Sequence, residues 1–178
     1  MFTCLTIFRE PVSRIQSCWN FRFVQNNGGG GIHWSNLAST PAEDMAAKLT
    51  QARSQYGEGC LNEPMRIFSD FGDDEELVNN LTDADNDFGV AELALEQTIE
   101  RAGRCVVGVL ERCADTKATV AKHLPFLAPF FSCENHHNAG EVEKGDLSDD
   151  QMKVLLDLSL YEQRAYEKAN LMLDAQMA

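Results

Sequence analysis

The chain has 178 residues, of which 44% are hydrophobic and 24% charged, and its formal net charge is −13. This length suits one domain with a sizeable core. No run approaches the eighteen apolar residues of a membrane span, and the first residues lack the basic region of a signal peptide. Since the chain begins directly on an apolar strand, we interpret residues 1–178 as a single, incomplete domain with an acidic, loop-rich excursion at about 57–88.

The acidic charge is unevenly distributed along the chain. Residues 1–68 contain six Lys or Arg and five Asp or Glu, whereas residues 69–178 contain nine and twenty-three. Overall acidity argues against nucleic acid or an anionic membrane as a partner. An anionic ligand is therefore expected to bind in the near-neutral first part, where Arg9, Arg14 and Arg22 lie.

The first element is a strand followed by a helix. The segment Thr3–Phe8 is short, apolar and β-branched, which predicts a buried strand. Pro11 suits the first position of a helix, and Glu10 precedes it in the N-cap region. Arg9 then lies at the carboxyl end of the strand, where open α/β sheets bind their ligands. Arg9 offers phosphate a charged fork, and Ser17, roughly 10 Å along the helix from its start, offers a hydroxyl.

Residues 28–57 contain a loop and a helix start. The four glycines at 28–31 lack the lysine of a phosphate-binding loop, so we interpret them as a surface loop. Thr40, Pro41 and Glu43 form the pattern of a helix start with a capping box. We expect that helix to continue to about Tyr56.

The excursion at 57–88 is expected to contain little regular structure beyond a helical turn at 74–81. Its last acidic stretch begins at Asp83 and resembles a calcium loop. However, Gly89 stands one place late, and Ala94 occupies the position at which a bidentate glutamate is needed. We therefore interpret the stretch as a solvated acidic loop.

The second half of the chain alternates helices with a fully apolar strand. This alternation predicts an α/β fold whose short parallel sheet includes strands near 2–8 and 104–110. The spacing at 153–177 is that of one helix packed on a core. The preceding elements are a helix at Val90–Ala102, a buried strand at Cys105–Leu110 and a helix at Thr116–His123.

The six cysteines contain no C-x-x-C pair, so neither a zinc ribbon nor a thioredoxin-type site is predicted. Disulfides would form if the chain matures in an oxidising lumen, but their spacing does not pair them. Cys4 and Cys105 lie in apolar strands, and we interpret both as buried thiols.

Two further polar features have alternative interpretations. Cys133, His136 and His137 supply at most part of a metal site, so a polar loop is favoured and no metal is expected. Glu111 follows the second strand, where it would serve either as a general base or as an acid that stabilises a helix N-terminus.

Arg9-Glu10-Pro11 with Ser17 resembles the 3′-phosphate-binding motif of sulfotransferases that use 3′-phosphoadenosine 5′-phosphosulfate, especially the carbohydrate sulfotransferases. Later segments follow in the family's order. The strand end Val106–Arg112 resembles a recurring segment of Golgi-type members. The loop 135–138, the helix start at Ser148 and Gln151, and the closing segments 160–162 and 166–169 are similar to the family's C-terminal part.

The resemblance implies a helix-rich, partial P-loop-NTPase-like sulfotransferase fold. It implies that Arg9 and Ser17 bind the nucleotide, and that Asn138 or His137 contacts it from a polar loop. The implied activity transfers a sulfuryl group from the phosphosulfate to a hydroxyl, commonly of a carbohydrate, without a metal and with catalytic residues that the sequence does not identify. The full-length protein is then expected in the Golgi lumen or membrane.

The family places a lysine-bearing strand-loop-helix upstream, where it holds the 5′-phosphosulfate, and usually the catalytic base as well. This sequence contains no such segment, so we expect half of a site. The alternative is a non-catalytic nucleotide-binding or interaction module that retains part of the fold. A third interpretation is an acidic α/β protein with no nucleotide site.

Overall fold

The computed structural model describes residues 2–19, 34–47, 49, 60–71, 88–133 and 147–178. Two strands in this part of the chain, β1 (Leu5–Phe8) and β2 (Val106–Val109), form the sheet. The helices are α1 (Pro11–Trp19), α2 (Trp34–Ala38), α3 (42–47), α4 (Glu63–Phe68), α5 (Phe88–Ala102), α6 (Cys113–His123), α7 (Asp149–Leu158) and α8 (Leu160–Met177).

The two strands run parallel, with Leu5 opposite Val106 and Phe8 opposite Val109. This confirms a helix-rich α/β fold with a short parallel sheet. All four residues of β2 are buried, as predicted. The prediction of a buried β1 is wrong, because only Phe8 is buried there and Ile7 is 43% exposed. The difference arises because α6 and α8 both pack against β2, whereas the main contacts of β1 are with β2 itself.

Alternate residues of β2 face two different apolar layers, as the pleat of a strand requires. Val107 and Val109 join Phe8 in a cluster that α5 and α8 complete. Val106 joins Val120 and the residue after α6 in a smaller cluster on the opposite face. The sheet is thus covered by helices on both faces.

A third cluster packs the N-terminal helices on α7. Its large members are fully or almost fully buried, and the indole rings of two tryptophans lie among them. The buried residues of this cluster are Ile15, Trp19, Trp34, Leu37, Met45, Leu49, Cys60, Leu61 and Leu155. This packing fixes α1, and with it the segment that follows β1.

The predicted single helix at 153–177 is two helices. The Ser148 and Gln151 capping box is present at the start of α7, as predicted. The chain leaves helical geometry at Ser159, whose hydroxyl donates to the carbonyl of Leu155 over 2.8 Å. A serine that bonds back to the preceding turn competes with the helix ladder, which explains the break.

The excursion at 57–88 contains more structure than predicted. Residues 63–68 form α4, whose Met65 is fully buried in the cluster that contains Phe8, Val107 and Val109. The helix α4 was not predicted because its sequence contains only one short apolar stretch. Residues 72–87, with the predicted turn and most of the acidic loop, lie outside the described residues, as do residues 20–33 and 50–59.

All six cysteines form disulfides, which pair Cys4 with Cys105, Cys18 with Cys60, and Cys113 with Cys133. The interpretation of Cys4 and Cys105 as buried thiols is therefore wrong. Since Leu5 is opposite Val106 in the parallel register, the two cysteines that precede them also lie side by side. The bond therefore joins the two strands at their amino ends.

Candidate functional site

The carboxyl ends of β1 and β2 lie side by side because the strands are parallel. β1 ends at Phe8, and Arg9 and Glu10 lead into α1. β2 ends at Val109 and continues as a 3-10 turn over Leu110–Arg112. Polar side chains from both turns therefore lie together at the carboxyl ends of the strands, as predicted for Arg9.

Arg9 lines a groove with a volume of about 390 Å³. The other described residues that line it come from β1, α1, α4 and α8: Leu5, Thr6, Ile7, Phe8, Arg14, Glu63, Pro64, Ile67, Phe68, Glu162 and Tyr166. Among the described residues, Arg9 makes no hydrogen bond or ion pair, whereas Arg14, Arg101 and Arg112 each pair with a carboxylate. A half-buried guanidinium that lacks an acidic partner has its donors available for an anion.

Glu10 occupies the N-terminus of α1. Its carboxylate accepts hydrogen bonds from the backbone N–H of Val12 over 3.0 Å and of Ser13 over 2.7 Å. These are two of the N–H groups that a helix start would otherwise offer to a phosphate. An anion at this end of the sheet would therefore be held chiefly by side chains, and Arg9 is the cation placed to do so.

Glu111 joins the ends of the two strands to α8. One carboxylate oxygen accepts from the backbone N–H of Glu10 over 3.0 Å, and the other accepts from the hydroxyl of Tyr166 over 3.1 Å. Burial, together with the negative charge of Glu111, raises the pKa of Tyr166. Both oxygens of Glu111 are thus engaged in holding the site together, a role that neither sequence interpretation gave it.

Arg14 is not available to a ligand, contrary to the expectation that it contributes to an anion site. Its Nη2 donates to Glu162 over 2.8 Å and its Nη1 to Glu63 over 2.6 Å. Its Nε also pairs with Glu162, and Nη2 with the carbonyl of Cys60. Burial lowers the pKa of Arg14, but the two glutamates outweigh that effect, so its pKa is raised.

Glu162 is almost completely buried on α8, although it is a carboxylate. The backbone N–H of Asn62 donates to its Oε2 over 3.0 Å, in addition to the bonds from Arg14. Burial raises the pKa of Glu162, and the positive charge of Arg14 offsets only part of that rise. Arg14 and Glu162 line the inner wall of the groove, where each neutralises the charge of the other.

Of the other predicted nucleotide contacts, Ser17 is the one that the structure describes. Ser17 lies on α1 and is partly buried, but it does not line the groove. Asn138, His136, His137 and Arg22 lie outside the described residues.

Glu162 and Tyr166 line the groove, but neither was predicted from the sequence to do so. A signal for Glu162 was present, because it occupies the same helical stripe as Ala165, Ala169 and Leu173, all of which are buried. A carboxylate on an apolar stripe indicates a buried cation partner. Nothing in the sequence indicated which arginine that partner was.

Comparison with protein-family models, with curated proteins and with solved structures gave no match. Within the described ranges, no group of three or more His, Cys, Asp or Glu is placed to hold a metal ion. No helix among these residues is long and apolar enough to cross a membrane.

Proposed function

We propose that this chain is the C-terminal part of a sulfotransferase with a partial P-loop-NTPase-like fold. It binds the 3′-phosphate of 3′-phosphoadenosine 5′-phosphosulfate through Arg9. The observation that carries the proposal is the position of Arg9 at the carboxyl end of a parallel strand and beside a groove, where no described carboxylate pairs with it. A nucleotide phosphate fits such a donor because it accepts two parallel hydrogen bonds from the guanidinium.

A second observation supports the proposal: segments that carry the resemblance contact one another in the structure. Arg14, inside the Arg9–Ser17 segment, pairs with Glu162 from the closing segment. The backbone N–H of Glu10, from the first segment, donates to the carboxylate of Glu111 at the end of the β2 segment. These contacts support the proposal because segments that act on one ligand must lie close together.

In the proposed reaction the acceptor hydroxyl oxygen attacks the sulfur in line. The bond between sulfur and the bridging oxygen breaks, the nucleotide leaves with the bond's electron pair, and a base takes the hydroxyl proton. Cationic groups stabilise the charge on the leaving phosphate. Arg9 positions the nucleotide through its 3′-phosphate, a role remote from the reacting atoms. The acceptor is a hydroxyl, and a carbohydrate is the class that the resemblance favours.

The proposed location of the full-length protein is the Golgi lumen. The three disulfides support it, because structural disulfides persist in oxidising compartments and are rare in the cytosol. The pairs Cys4–Cys105 and Cys18–Cys60 tie the candidate site to the rest of the fold.

The alternative function is a non-catalytic module that binds the nucleotide but transfers no sulfuryl group. The position of Arg9 beside the groove supports nucleotide binding equally well for this alternative. Transfer of labelled sulfate from the donor to carbohydrate hydroxyls distinguishes the two functions. Nucleotide binding without transfer would support the module.

The experiment that tests the proposed binding is calorimetric titration with adenosine 3′,5′-bisphosphate. Arg9→Ala should weaken binding about tenfold or more, because a charged hydrogen-bonded pair contributes about 1.5–3 kcal/mol. Arg101→Ala is the matched control, since Arg101 pairs with Asp70 outside the groove. Equal affinities of the wild type and Arg9→Ala would refute the proposed role of Arg9.

A further inference from the structure

Glu10 and Glu111 both lie next to Arg9, yet neither forms an ion pair with it. Glu10 follows Arg9 in the chain, and the Oε1 of Glu111 lies 3.0 Å from the backbone nitrogen of Glu10. That nitrogen belongs to the peptide group that joins Glu10 to Arg9, so the Glu111 carboxylate is within the length of an arginine side chain. The availability of Arg9 to an anion therefore depends on what holds these two carboxylates in other contacts.

The carboxylate of Glu10 is held by the helix that it precedes. Its two oxygens accept from the backbone N–H groups of Val12 and Ser13. The N–H groups of a first turn have no acceptor within their own helix, and the positive end of the helix dipole also favours a carboxylate there. The start of α1 thus directs the charge of Glu10 along the helix and away from Arg9.

The carboxylate of Glu111 is held by donors from two different elements. The backbone N–H of Glu10 donates to Oε1, and the hydroxyl of Tyr166 on α8 donates to Oε2 over 3.1 Å. Glu111 is an exposed residue, so packing does little to restrain its side chain. A single bond to Oε1 would let the carboxylate turn about that contact, whereas a second donor on Oε2 fixes its plane. Tyr166 is therefore the group that sets the orientation of Glu111.

Tyr166 is itself fixed at the groove. It lines the same groove as Arg9, and its side chain packs on the cluster that contains Phe8 and Val107. Burial, together with the negative charges of Glu111 and Glu10, raises the pKa of Tyr166 above its ordinary value of 10.0. The phenol therefore keeps its proton at neutral pH and remains a donor to Glu111.

Loss of this donor would have a specific consequence for Arg9. A carboxylate that is free to turn toward a neighbouring guanidinium pairs with it, and that pair must break before the guanidinium can bind a phosphate. The affinity for the phosphate then falls by the fraction of Arg9 that remains unpaired.

We propose that Tyr166 is a positioning residue of the anion site: its hydroxyl holds the Glu111 carboxylate away from Arg9 and so leaves the guanidinium available to a phosphate. Tyr166 acts through Glu111 and does not contact the phosphate in this role. The inference rests on the proposed function for the identity of its ligand, the 3′-phosphate of the nucleotide. The contact that it predicts between Arg9 and a released Glu111 can be measured without any ligand.

The first test observes the Arg9 side chain by NMR of the free protein with ¹⁵N-labelled arginine, and Arg9→Lys assigns the signal by removing it. In the wild type, the Nε–H of Arg9 should exchange rapidly with water. Tyr166→Phe should shift this resonance and slow its exchange, because Glu111 then pairs with Arg9. Tyr166→Phe/Glu111→Gln should return the wild-type behaviour, since a neutral amide forms no ion pair. An Arg9 signal that does not respond to Tyr166→Phe would overturn the proposal.

The second test measures the affinity for adenosine 3′,5′-bisphosphate by calorimetry. Tyr166→Phe should weaken binding about three- to fivefold, which is the competition expected from a partly exposed ion pair. Tyr166→Phe/Glu111→Gln should restore it. Tyr161→Phe is the control, because Tyr161 lies on the same helix but does not line the groove. Equal affinities of the wild type and Tyr166→Phe, or a double variant as weak as Tyr166→Phe, would refute a role through Glu111.

The two measurements separate failure of this inference from failure of the proposed function. If the wild type binds no nucleotide while the Arg9 resonance responds to the variants as expected, the nucleotide function is wrong and the positioning role of Tyr166 is supported. If the wild type binds the nucleotide but the Arg9 resonance is the same in Tyr166→Phe, the positioning role is wrong and the nucleotide function is unaffected.

Discussion

Arg14 and Glu162 form a buried ion pair that joins α1 to α8 across 148 residues of sequence. Glu63 also contacts Arg14, so the pair holds the start of α4 as well. The carboxylate of Glu162 receives donors from both Arg14 and the backbone of Asn62. These contacts hold α1, the start of α4 and α8 together along the inner wall of the groove.

The stability losses from removing the two members of this pair should not be additive. Glu162→Ala should lower the free energy of unfolding by about 3–5 kcal/mol, because it leaves the charge of Arg14 buried with one carboxylate partner fewer. The double variant Arg14→Met/Glu162→Leu should cost less than the sum of the single variants, since it leaves neither charge of the buried pair without its partner. Urea unfolding measures both. Strict additivity would mean that the two side chains do not interact in solution.

Gly108 should tolerate no side chain, because α6 packs directly on β2. A Cβ atom at this position would lie 2.5 Å from the Cγ2 of Thr116. We expect Gly108→Ala to destabilise the fold by about 1–3 kcal/mol through overpacking. Thr116→Ser removes that methyl group but keeps the hydroxyl that bonds Val109. Gly108→Ala/Thr116→Ser should therefore recover stability relative to Gly108→Ala, and thermal unfolding that shows no recovery would contradict the contact.

The disulfides should contribute unequally to stability. Cys4–Cys105 closes a separation of 101 residues and Cys113–Cys133 one of 20. On loop-closure entropy alone the first is worth about 4–5 kcal/mol and the second about 3. Replacing both cysteines of each pair by serine should therefore lower the unfolding midpoint more for Cys4 and Cys105. Proteolytic mapping without reductant should recover the three linked peptides, and any other pairing would refute the assignment.

The ion pair of Glu92 with Arg164 should make a small, pH-dependent contribution to stability. The hydrogen bond from Arg164 lowers the pKa of Glu92 below its ordinary value of 4.5. As the pH falls, the unfolded chain binds a proton at Glu92 before the folded chain does, because the pKa is lower in the folded state. The contribution to stability is therefore present above pH 4.5 and is lost as the pH falls through the pKa of the folded state. Both side chains are about 40% exposed, so solvent screening limits the effect to about 0.5 kcal/mol.

Urea unfolding of Glu92→Gln at several pH values tests this contribution. The difference from wild type should be largest at pH 7 and should shrink below pH 4.5. Glu96→Gln is the control, since Glu96 is exposed on the same helix and makes no ion pair with the described residues. A difference that grows as the pH falls would have the wrong sign for a lowered pKa.

The sequence predicted the features that depend on local patterns. The apolar run at 105–110 indicated β2, Pro11 indicated the start of α1, and Ser148 with Gln151 indicated the start of α7. It also placed Arg9 at the end of a strand, beside what the structure shows to be a groove.

Features that depend on contacts between distant segments could not be predicted. Cys4 meets Cys105 only because of the strand register, and Arg14 meets Glu162 only after α1 and α8 have packed. The exposure of Ile7 has the same origin, since which helices pack on a strand is not a property of that strand's own sequence. The sequence therefore identified Arg9 as a candidate anion-binding residue, but it did not show that Arg14 is paired with two glutamates.

The most direct test of the central claim is a cycle that combines the Arg9→Ala variant with removal of the 3′-phosphate from the nucleotide. Affinities of wild type and Arg9→Ala are measured for adenosine 3′,5′-bisphosphate and for adenosine 5′-monophosphate. If Arg9 binds the 3′-phosphate, that phosphate should strengthen binding to the wild type about tenfold or more and should add little to Arg9→Ala. If the 3′-phosphate strengthens binding equally in both proteins, or in neither, Arg9 is not its binding residue and the proposed nucleotide site is wrong.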